Sequence, residues 1–552
     1  MSDIIGQAKL GDGRRTSFGW TTRWNEAHAA KARADGWWTD ETIGERLAKL
    51  AMAEPDRLLV IDGDKRLLAG ELYEKAQILA RVFVERGFKP GDVISFMLPN
   101  WHETCIIYLG ATFAGLVAHP LVTAYREAEL RFFLADSGSR MVFVPRRVRN
   151  SMIFDAARAA VVDYDNPPEI VLVRDEEPGF TSLDALLATK CDAALPAKVD
   201  PDAVRMICYT SGTTGRPKGV LHTHNTIAAA VGQIHKYWQV NPGDSFFVPS
   251  PISHMGGSIY AFEIPILYGT VAVLQEIWDA EQAITKMDEH RCTHMAGATP
   301  FLQGLLTQGK ASNIHLPALR VFICGGAAVP PTLIREAHEW FVHSRVQRVF
   351  GSTEVPTITI GSFGAGDFYH AAETDGMIGI STVKLIDSDG KETRTEGEVL
   401  AKGPQMFLGY LHDEDNVPSF DEDGFFRTGD LAVLVDDHYL RISGRLKDII
   451  IRSGENIAPK EIEDLLVQHP DIADVTIVGL PSPKTGELCC AVIVPRGDAR
   501  PDVSTLREFL EERKVAKFKM PERVELWKEL PRSSIGKVLK VEIRQTLINA
   551  GS

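Results

Sequence analysis

Eleven consecutive residues, Tyr209-Thr-Ser-Gly-Thr-Thr-Gly-Arg-Pro-Lys-Gly219, bring five hydroxyls, three glycines and a lysine into one loop. Glycines let several backbone N–H groups turn toward one anion. The hydroxyls of Thr210, Ser211, Thr213 and Thr214 add donors around Gly212 and Gly215, and Lys218 adds positive charge. Such a loop is suited to cradling a polyphosphate. It is not the Walker P-loop: with four residues skipped after Gly212 comes Pro217 rather than glycine, and Lys218 is followed by Gly219 rather than Ser or Thr. Proline also lacks the N–H that a Walker nest would use. Polar Gly/Ser/Thr runs are commonly surface loops, but a lysine and a proline set within this one argue for a ligand.

Three more sites have chemistry that fits a nucleotide. In Phe350-Gly-Ser-Thr-Glu354, Thr353 could hydrogen-bond a phosphate and Glu354 could hold Mg²⁺ against it. Alone, Gly351-Ser352-Thr353-Glu354 is also a fair helix N-cap. Asp430, ending Arg427-Thr-Gly-Asp430, could accept hydrogen bonds from the two vicinal hydroxyls of a ribose. Alone, it is an ordinary turn aspartate. Lys537, in Leu530-Pro-Arg-Ser-Ser-Ile-Gly-Lys537, would ordinarily be a surface lysine.

Taken in order, these segments resemble the adenylate-forming superfamily, which includes acyl-CoA synthetases, peptide-synthetase adenylation domains and luciferases. Within it the chain is most similar to acid–CoA ligases, and Gly36-Trp-Trp-Thr-Asp-Glu-Thr-Ile43 resembles entry segments of aryl and alicyclic acid ligases, including cyclohexanecarboxylate–CoA ligases. The resemblance implies ATP, Mg²⁺ and CoA as cosubstrates and cofactor, and a small carboxylic acid as substrate. The loop from Thr210 to Lys218 would bind the β- and γ-phosphates. Gly325, Gly326 and Ala327 would pack against adenine, and Phe350, in place of a commoner tyrosine, would line the adenine or acyl pocket. Asp430 and Arg445 would hold the ribose or phosphate, and Glu354 the metal. Lys537 would approach the carboxylate and α-phosphate. Lys447, in Gly444-Arg-Leu-Lys-Asp448, would be the hinge, and Gly454 would let pantetheine pass close to the backbone. His254 would gate the acyl site, whose candidates are Met255, Gly256, Gly257, Phe301 and Cys324. These are apolar or small, so a cyclic or medium-chain apolar monocarboxylate is expected. A stand-alone enzyme loading an aryl or alicyclic acid onto a carrier protein's phosphopantetheine is the alternative, and a luciferase-like oxygenase is a third. No Gly-x-Ser-x-Gly elbow argues for a hydrolase.

Composition fits this picture. Across 552 residues, 44% are hydrophobic and 24% charged, as in ordinary globular domains, and the length calls for more than one. A net charge of -14 argues against a nucleic-acid partner. Seven cysteines form no Cys-x-x-Cys pair, the start has no signal-like pattern, and no apolar run spans a bilayer, so a reducing cytoplasm is expected. A homo-oligomer is possible and not readable.

The elements that must position these residues alternate. Apolar runs at Leu58–Ile61, Val93–Leu98, Met141–Val144, Glu169–Val173, Val204–Cys208 and Arg320–Cys324 read as buried strands. Helical spacing spans Glu41–Ala53, Leu72–Arg86 and Asn225–Trp238. This pattern predicts an α/β fold with mostly parallel sheets, ligands lying beyond the carboxyl ends of the strands. The phosphate loop is expected between a strand and a helix. After about Glu373, short strands with Asp-Gly turns predict a β-rich subdomain. The expected architecture is a large N-terminal domain, 1–446, of parallel-sheet α/β subdomains plus a β-rich subdomain. It is hinged to a small C-terminal α+β domain, 447–552.

Overall fold

The computed structural model describes residues 14–16, 19–210, 216–326, 329–362, 364, 366–532 and 536–550. Ser211, Gly212, Thr213, Thr214, Gly215 and Ala327, expected at the nucleotide, lie outside the described residues.

Two seven-stranded sheets form the body of the molecule. The first runs Lys218–Thr223, Val204–Thr210, Val117–Pro120, Val93–Phe96, Ser139–Val144, Glu169–Leu172, Thr181–Ser182. The second runs Arg345–Val349, Val321–Gly325, His294–Gly297, Ser245–Val248, Val271–Leu274, Leu58–Asp62, Lys65–Leu68. Pairing is parallel except for one hairpin at an edge of each sheet. The inner strands are mostly buried, and Val93-Ile-Ser-Phe96 is buried at every position, because helices cover both faces. Ile94 and Phe96 of the first sheet share one apolar cluster with Phe246, Ala272 and Ile323 of the second, so the two sheets rest on a common core.

The expected strand-to-helix crossover at the phosphate loop is replaced by a hairpin. Lys218–Thr223 is a strand, antiparallel to Val204–Thr210, with Thr210 opposite Lys218. The helix begins only at His224, capped by Thr223. Val220 and Leu221 decide this: both are fully buried, a choice that suits a sheet edge packed on neighbours. Residues 408–411 then pair along the outer side of this strand, through Leu221 N–H to the Gly409 carbonyl (3.1 Å) and Leu411 N–H to the Gly219 carbonyl (2.8 Å).

A five-stranded antiparallel sheet follows, in the order Glu392–Thr393, Thr382–Ile386, Glu396–Lys402, Phe426–Val435, Tyr439–Arg445. Its last strand runs into a single 3₁₀ turn, Leu446–Asp448. The remaining residues build a second five-stranded sheet from Ile450–Arg452, Glu455–Ile457, Ile472–Ser482, Gly486–Pro495 and Arg523–Leu526. Helices Pro459–Leu466 and Val503–Glu512 pack with it around a separate core of Ile450, Ile462, Ile477, Ile493 and Leu506. No helix among the described residues is long and apolar enough to cross a membrane.

Candidate active site

The residues singled out by chemistry fall into three groups. The first surrounds Glu354. Its Oε1 accepts from Thr210 Oγ1 (3.2 Å) and from the Tyr410 hydroxyl (2.9 Å), and the carboxylate is buried. Burial and that carboxylate push the Tyr410 phenol well up, so it stays a donor. Among the described residues both hydrogen bonds to Glu354 reach Oε1. A carboxylate at the root of a phosphate loop, with its second oxygen so disposed, fits a Mg²⁺ ion that takes one or two carboxylates and otherwise phosphate oxygens. Neighbouring Thr353 is fixed through its carbonyl, which accepts from His222 Nε2–H (2.7 Å). Burial lowers His222 to about 4, so it is a neutral imidazole. Ser352 Oγ accepts from Val355 N–H (3.2 Å). Gly351 is dictated by space: a Cβ there would lie 2.5 Å from the Thr357 nitrogen.

Lys218 was expected to face phosphate. Its ammonium is instead buried 3.4 Å from Asp415 Oδ1 and 4.9 Å from the centre of the Tyr410 ring. Arg216, two residues before it, reaches Asp415 Oδ2 (2.9 Å) and Glu414 (3.2 Å).

The second group joins the two domains. Asp430 and Arg445 are direct partners across neighbouring strands, with Arg445 Nε 2.7 Å from Asp430 Oδ1. Burial raises the Asp430 carboxyl, opposed by Arg445 and then Lys537. Burial lowers Lys537 from 10.5 to about 8, with Arg445 pushing the same way and Asp430 opposing. The lysine loop is held from both sides. Gly536, at φ +81°, packs with its α-carbon facing Pro300, 3.3 Å from where a Cβ would sit. Arg532 donates to the Gly536 carbonyl (2.6 Å) and pairs with Asp474 (2.5 Å).

The third group lies around His254, at the start of the short helix Met255–Ser258. Burial lowers His254 to about 4, leaving it neutral. Met255 is buried in the common core. Gly257 is required, because a Cβ would come within 2.2 Å of the Pro251 carbonyl oxygen. Gly256 is exposed, and a Cβ there would meet nothing within 4 Å. Phe301 is half-buried, tilted on Trp278 at 4.6 Å and pressed over Gly297, where a Cβ would clash with its ring at 2.4 Å. Cys324 departs from expectation: it is fully buried in the core with Leu302, Phe322 and Ile334, its thiol pushed up to about 12 by burial. It packs there on the same strand face as Phe322, two residues before it.

Gly325 and Val349 are partners on parallel strands, which sets Gly325-Gly326 beside the Phe350 segment. A Cβ on Gly325 would lie 2.7 Å from the Val349 carbonyl oxygen, and Gly326 has φ +80°. Phe350 is half-buried against the cluster of Val355, Ile358 and Phe407. Lys447 is exposed within the 3₁₀ turn. Gly454 stands apart: with Ser453 (φ +52°) it makes the two-residue turn of the hairpin Ile450–Arg452/Glu455–Ile457, at φ +87°. Such turns take positive φ at both positions, and a Cβ on Gly454 would meet nothing within 4 Å. Tyr410, Asp415, His222 and Pro300 were not singled out from sequence. The acidic run Asp413-Glu414-Asp415 after Tyr410 was the available signal; the other two gave none.

The AMP-binding enzyme family matches residues 47–411, and its AMP-binding enzyme C-terminal domain matches residues 461–537. The chain belongs to this family. It is 32% identical over 550 residues to a medium-chain fatty-acid–CoA ligase of Escherichia coli strain K12, covering 97% of this chain and 95% of that one. It is 31% identical over 515 residues to an indoleacetate–CoA ligase of Aromatoleum aromaticum, covering 92% and 97%. Among solved structures, ATP-bound MatB from Rhodopseudomonas palustris superposes with a TM-score of 0.82 at 27% identity, covering 93% of this chain and 100% of that one. The apo form of the same protein, at the same coverage and 28% identity, scores 0.71.

Proposed function

We propose that this member of the AMP-binding family activates an apolar monocarboxylate, cyclic or medium-chain, as its acyl-adenylate and passes the acyl group to CoA. The chain is an ATP-dependent acid–CoA ligase, and the apolar lining offered by Met255, Gly256 and Phe301 supports the acyl class. Relatives named for a medium-chain fatty acid and for indoleacetate are in keeping with it. The observation that carries the reading is Lys537, delivered from the C-terminal domain to the buried Asp430–Arg445 pair. A lysine ammonium at that point faces where a ribose and its α-phosphate would lie. The better match to the ATP-bound MatB than to its apo form supports the same arrangement.

The chemistry follows from charge. A carboxylate is ionised at neutral pH, since its pKa is near ~4, so it attacks without a general base. Its oxygen bonds to the α-phosphorus while the bond from that phosphorus to the β-phosphate's bridging oxygen breaks, releasing pyrophosphate. Two anions must approach, and Lys537 with the phosphate loop from Thr210 to Gly219 offsets the repulsion. Asp430 and Arg445 hold the ribose, and Gly325, Gly326, Ala327, Phe350, Gly351 and Ser352 flank the adenine. Glu354, with Thr353 beside it, would hold Mg²⁺, which when bound neutralises phosphate charge. His254, neutral, borders the acyl group without competing for its carboxylate.

In the second half-reaction a thiolate sulfur bonds to the acyl carbon and AMP leaves with the carboxyl oxygen. Thiol pKa values near ~8.5 make the thiolate accessible. Gly454 serves that step after the domain beyond Lys447 rotates, a hinge motion about the 3₁₀ turn. The use of ATP and CoA, with seven free cysteines, supports a cytoplasmic location. A panel of carboxylic acids assayed for pyrophosphate release, with and without CoA, tests the reading. Preference for a dicarboxylate or an amino acid would sink the acyl assignment, and thioester formation only on a carrier protein would sink CoA as acceptor.

A further inference from the structure

The strand Lys218–Thr223 has a neighbour that the sequence did not announce. Residues 408–411 pair along it, and Tyr410 with three residues after it, His412, Glu414 and Asp415, carries polar side chains to the two ends of the phosphate loop. At the incoming end, Tyr209 donates to Asp136 Oδ2 (2.6 Å), and His412 Nε2 meets Asp136 Oδ1 (2.8 Å). Tyr410 joins Thr210 on Glu354. At the outgoing end, Asp415 pairs with Lys218 and with Arg216, and Glu414 pairs with Arg216. The segment is itself braced: Asn416 accepts from Tyr410 N–H (2.8 Å) and donates to the Tyr410 carbonyl (3.2 Å).

We propose that residues 408–416 are a strap fixing both ends of the phosphate loop, and that Asp415 is its positioning residue. Lys218 acts on ATP through Asp415 rather than by touching a phosphate. The proposal rests on the reading of Thr210–Gly219 as the ATP-phosphate loop.

The Lys218 side chain is 8% exposed and that of Asp415 is 11% exposed. A desolvated ammonium needs a counter-charge, and removing one member of such a pair leaves the other buried and uncompensated. Drawing Lys218 out to a phosphate would break both its carboxylate and its ring contact, for one new contact. Left in place, the pair holds the outgoing strand at a fixed distance from the strap. The two ends of the loop are then fixed before ATP arrives, so less conformational freedom is lost on binding. Loosening the strap therefore weakens ATP binding more than it slows the chemical step.

The test uses the full chain and ATP–pyrophosphate exchange at saturating carboxylic acid. Asp415→Asn and Lys218→Met are each expected to raise KM for ATP about tenfold, with kcat at saturating ATP within about twofold. The double variant is expected to be no worse than either single one, because both remove the same link. Asp415→Glu, which keeps the charge, is expected to return KM to within about threefold of the unmodified protein. Thermal unfolding of each variant tracks folding, and Lys218→Met with Asp415→Glu carries the test should Asp415→Asn not fold. A Lys218→Met effect far larger than that of Asp415→Asn, multiplying with it in the double variant, overturns the strap and gives Lys218 a direct phosphate contact. Unchanged KM for ATP in Asp415→Asn overturns it as well. Absence of exchange in the unmodified protein with every acid is a separate failure, that of the ATP-loop reading itself.

Discussion

Two loops of the C-terminal domain, one at each end of its sequence, are held in opposite ways. The Lys537 loop is gripped: Gly536 packs on Pro300, Arg532 ties its carbonyl, and Lys540 pairs with Glu463 at 2.8 Å. The Ser453-Gly454 turn is held by a backbone bond from Ser453 N–H to the Thr485 carbonyl (2.8 Å), but its tip is open: a Cβ on Gly454 would meet nothing within 4 Å, and neighbouring Ile451 is 55% exposed. Lys537 thus lies beside Asp430 and Arg445 while the Gly454 tip faces open space. On the proposed reading, placement of a rigid body separates the two half-reactions, since the local shape of Gly454, in a turn with two positive φ angles, is already complete.

The sharpest break of this contrast is Lys537→Ala. Acyl-adenylate formation is expected to fall about a hundred- to a thousandfold, the scale for losing one preorganised charge in a reacting site. Thioester formation from supplied acyl-adenylate and CoA is expected to stay near the unmodified rate. Equal losses in both assays would mean that the two loops are not divided between half-reactions. Gly454→Leu is the converse. Adenylation should be retained and thioester formation lowered about tenfold or more, because a side chain would stand where pantetheine passes and its positive φ costs about 1–2 kcal/mol. Retained CoA transfer in that variant would remove Gly454 from the pathway.

The pH dependence is the next effect in size. Lys537 is protonated below about 8 and neutral above it. The kcat/KM for ATP reports the free enzyme, so it is expected to fall about tenfold per pH unit above that value. The thioester step should lack this limb. Linkage gives the matching sign for stability. The folded state binds fewer protons than the unfolded one between about 8 and the ordinary lysine value of 10.5. Stability from this group therefore rises with pH across that window, and the cost of burying the cation is borne in full below it. The smallest effects compare neighbouring glycines at the acyl site. Gly257→Ala should lose about 1–3 kcal/mol in chemical unfolding, from its clash with the Pro251 carbonyl. Gly256→Ala should unfold like the unmodified protein and alter only the preference among acids.

Much of the site was legible because its chemistry is local in sequence. Thr353-Glu354, Asp430 and Lys537 each sit in a short run whose backbone conformation the neighbouring glycines set. The hairpin at the phosphate loop was misread as a strand entering a helix, because the strand Lys218–Thr223 is short and its apolar pair, Val220 and Leu221, fits either period. Cys324 was expected in the acyl pocket as a small apolar residue, yet which face of a strand a residue takes is set by register with its neighbours. The ion pair of Lys218 was not legible in the sequence, because its partner, Asp415, lies 197 residues on.

The sequence by itself determined the family, the α/β alternation, the β-rich insertion and the order of the nucleotide-binding segments. These depend on periodicity and on short motifs, which a chain carries in adjacent residues. Only the tertiary structure decided that Asp415 takes Lys218, that Tyr410 completes Glu354, and that Lys537 comes to Asp430 and Arg445. Each is a meeting of charges from distant segments, and its partner is chosen by how sheets stack and domains dock, information that no local stretch of residues contains.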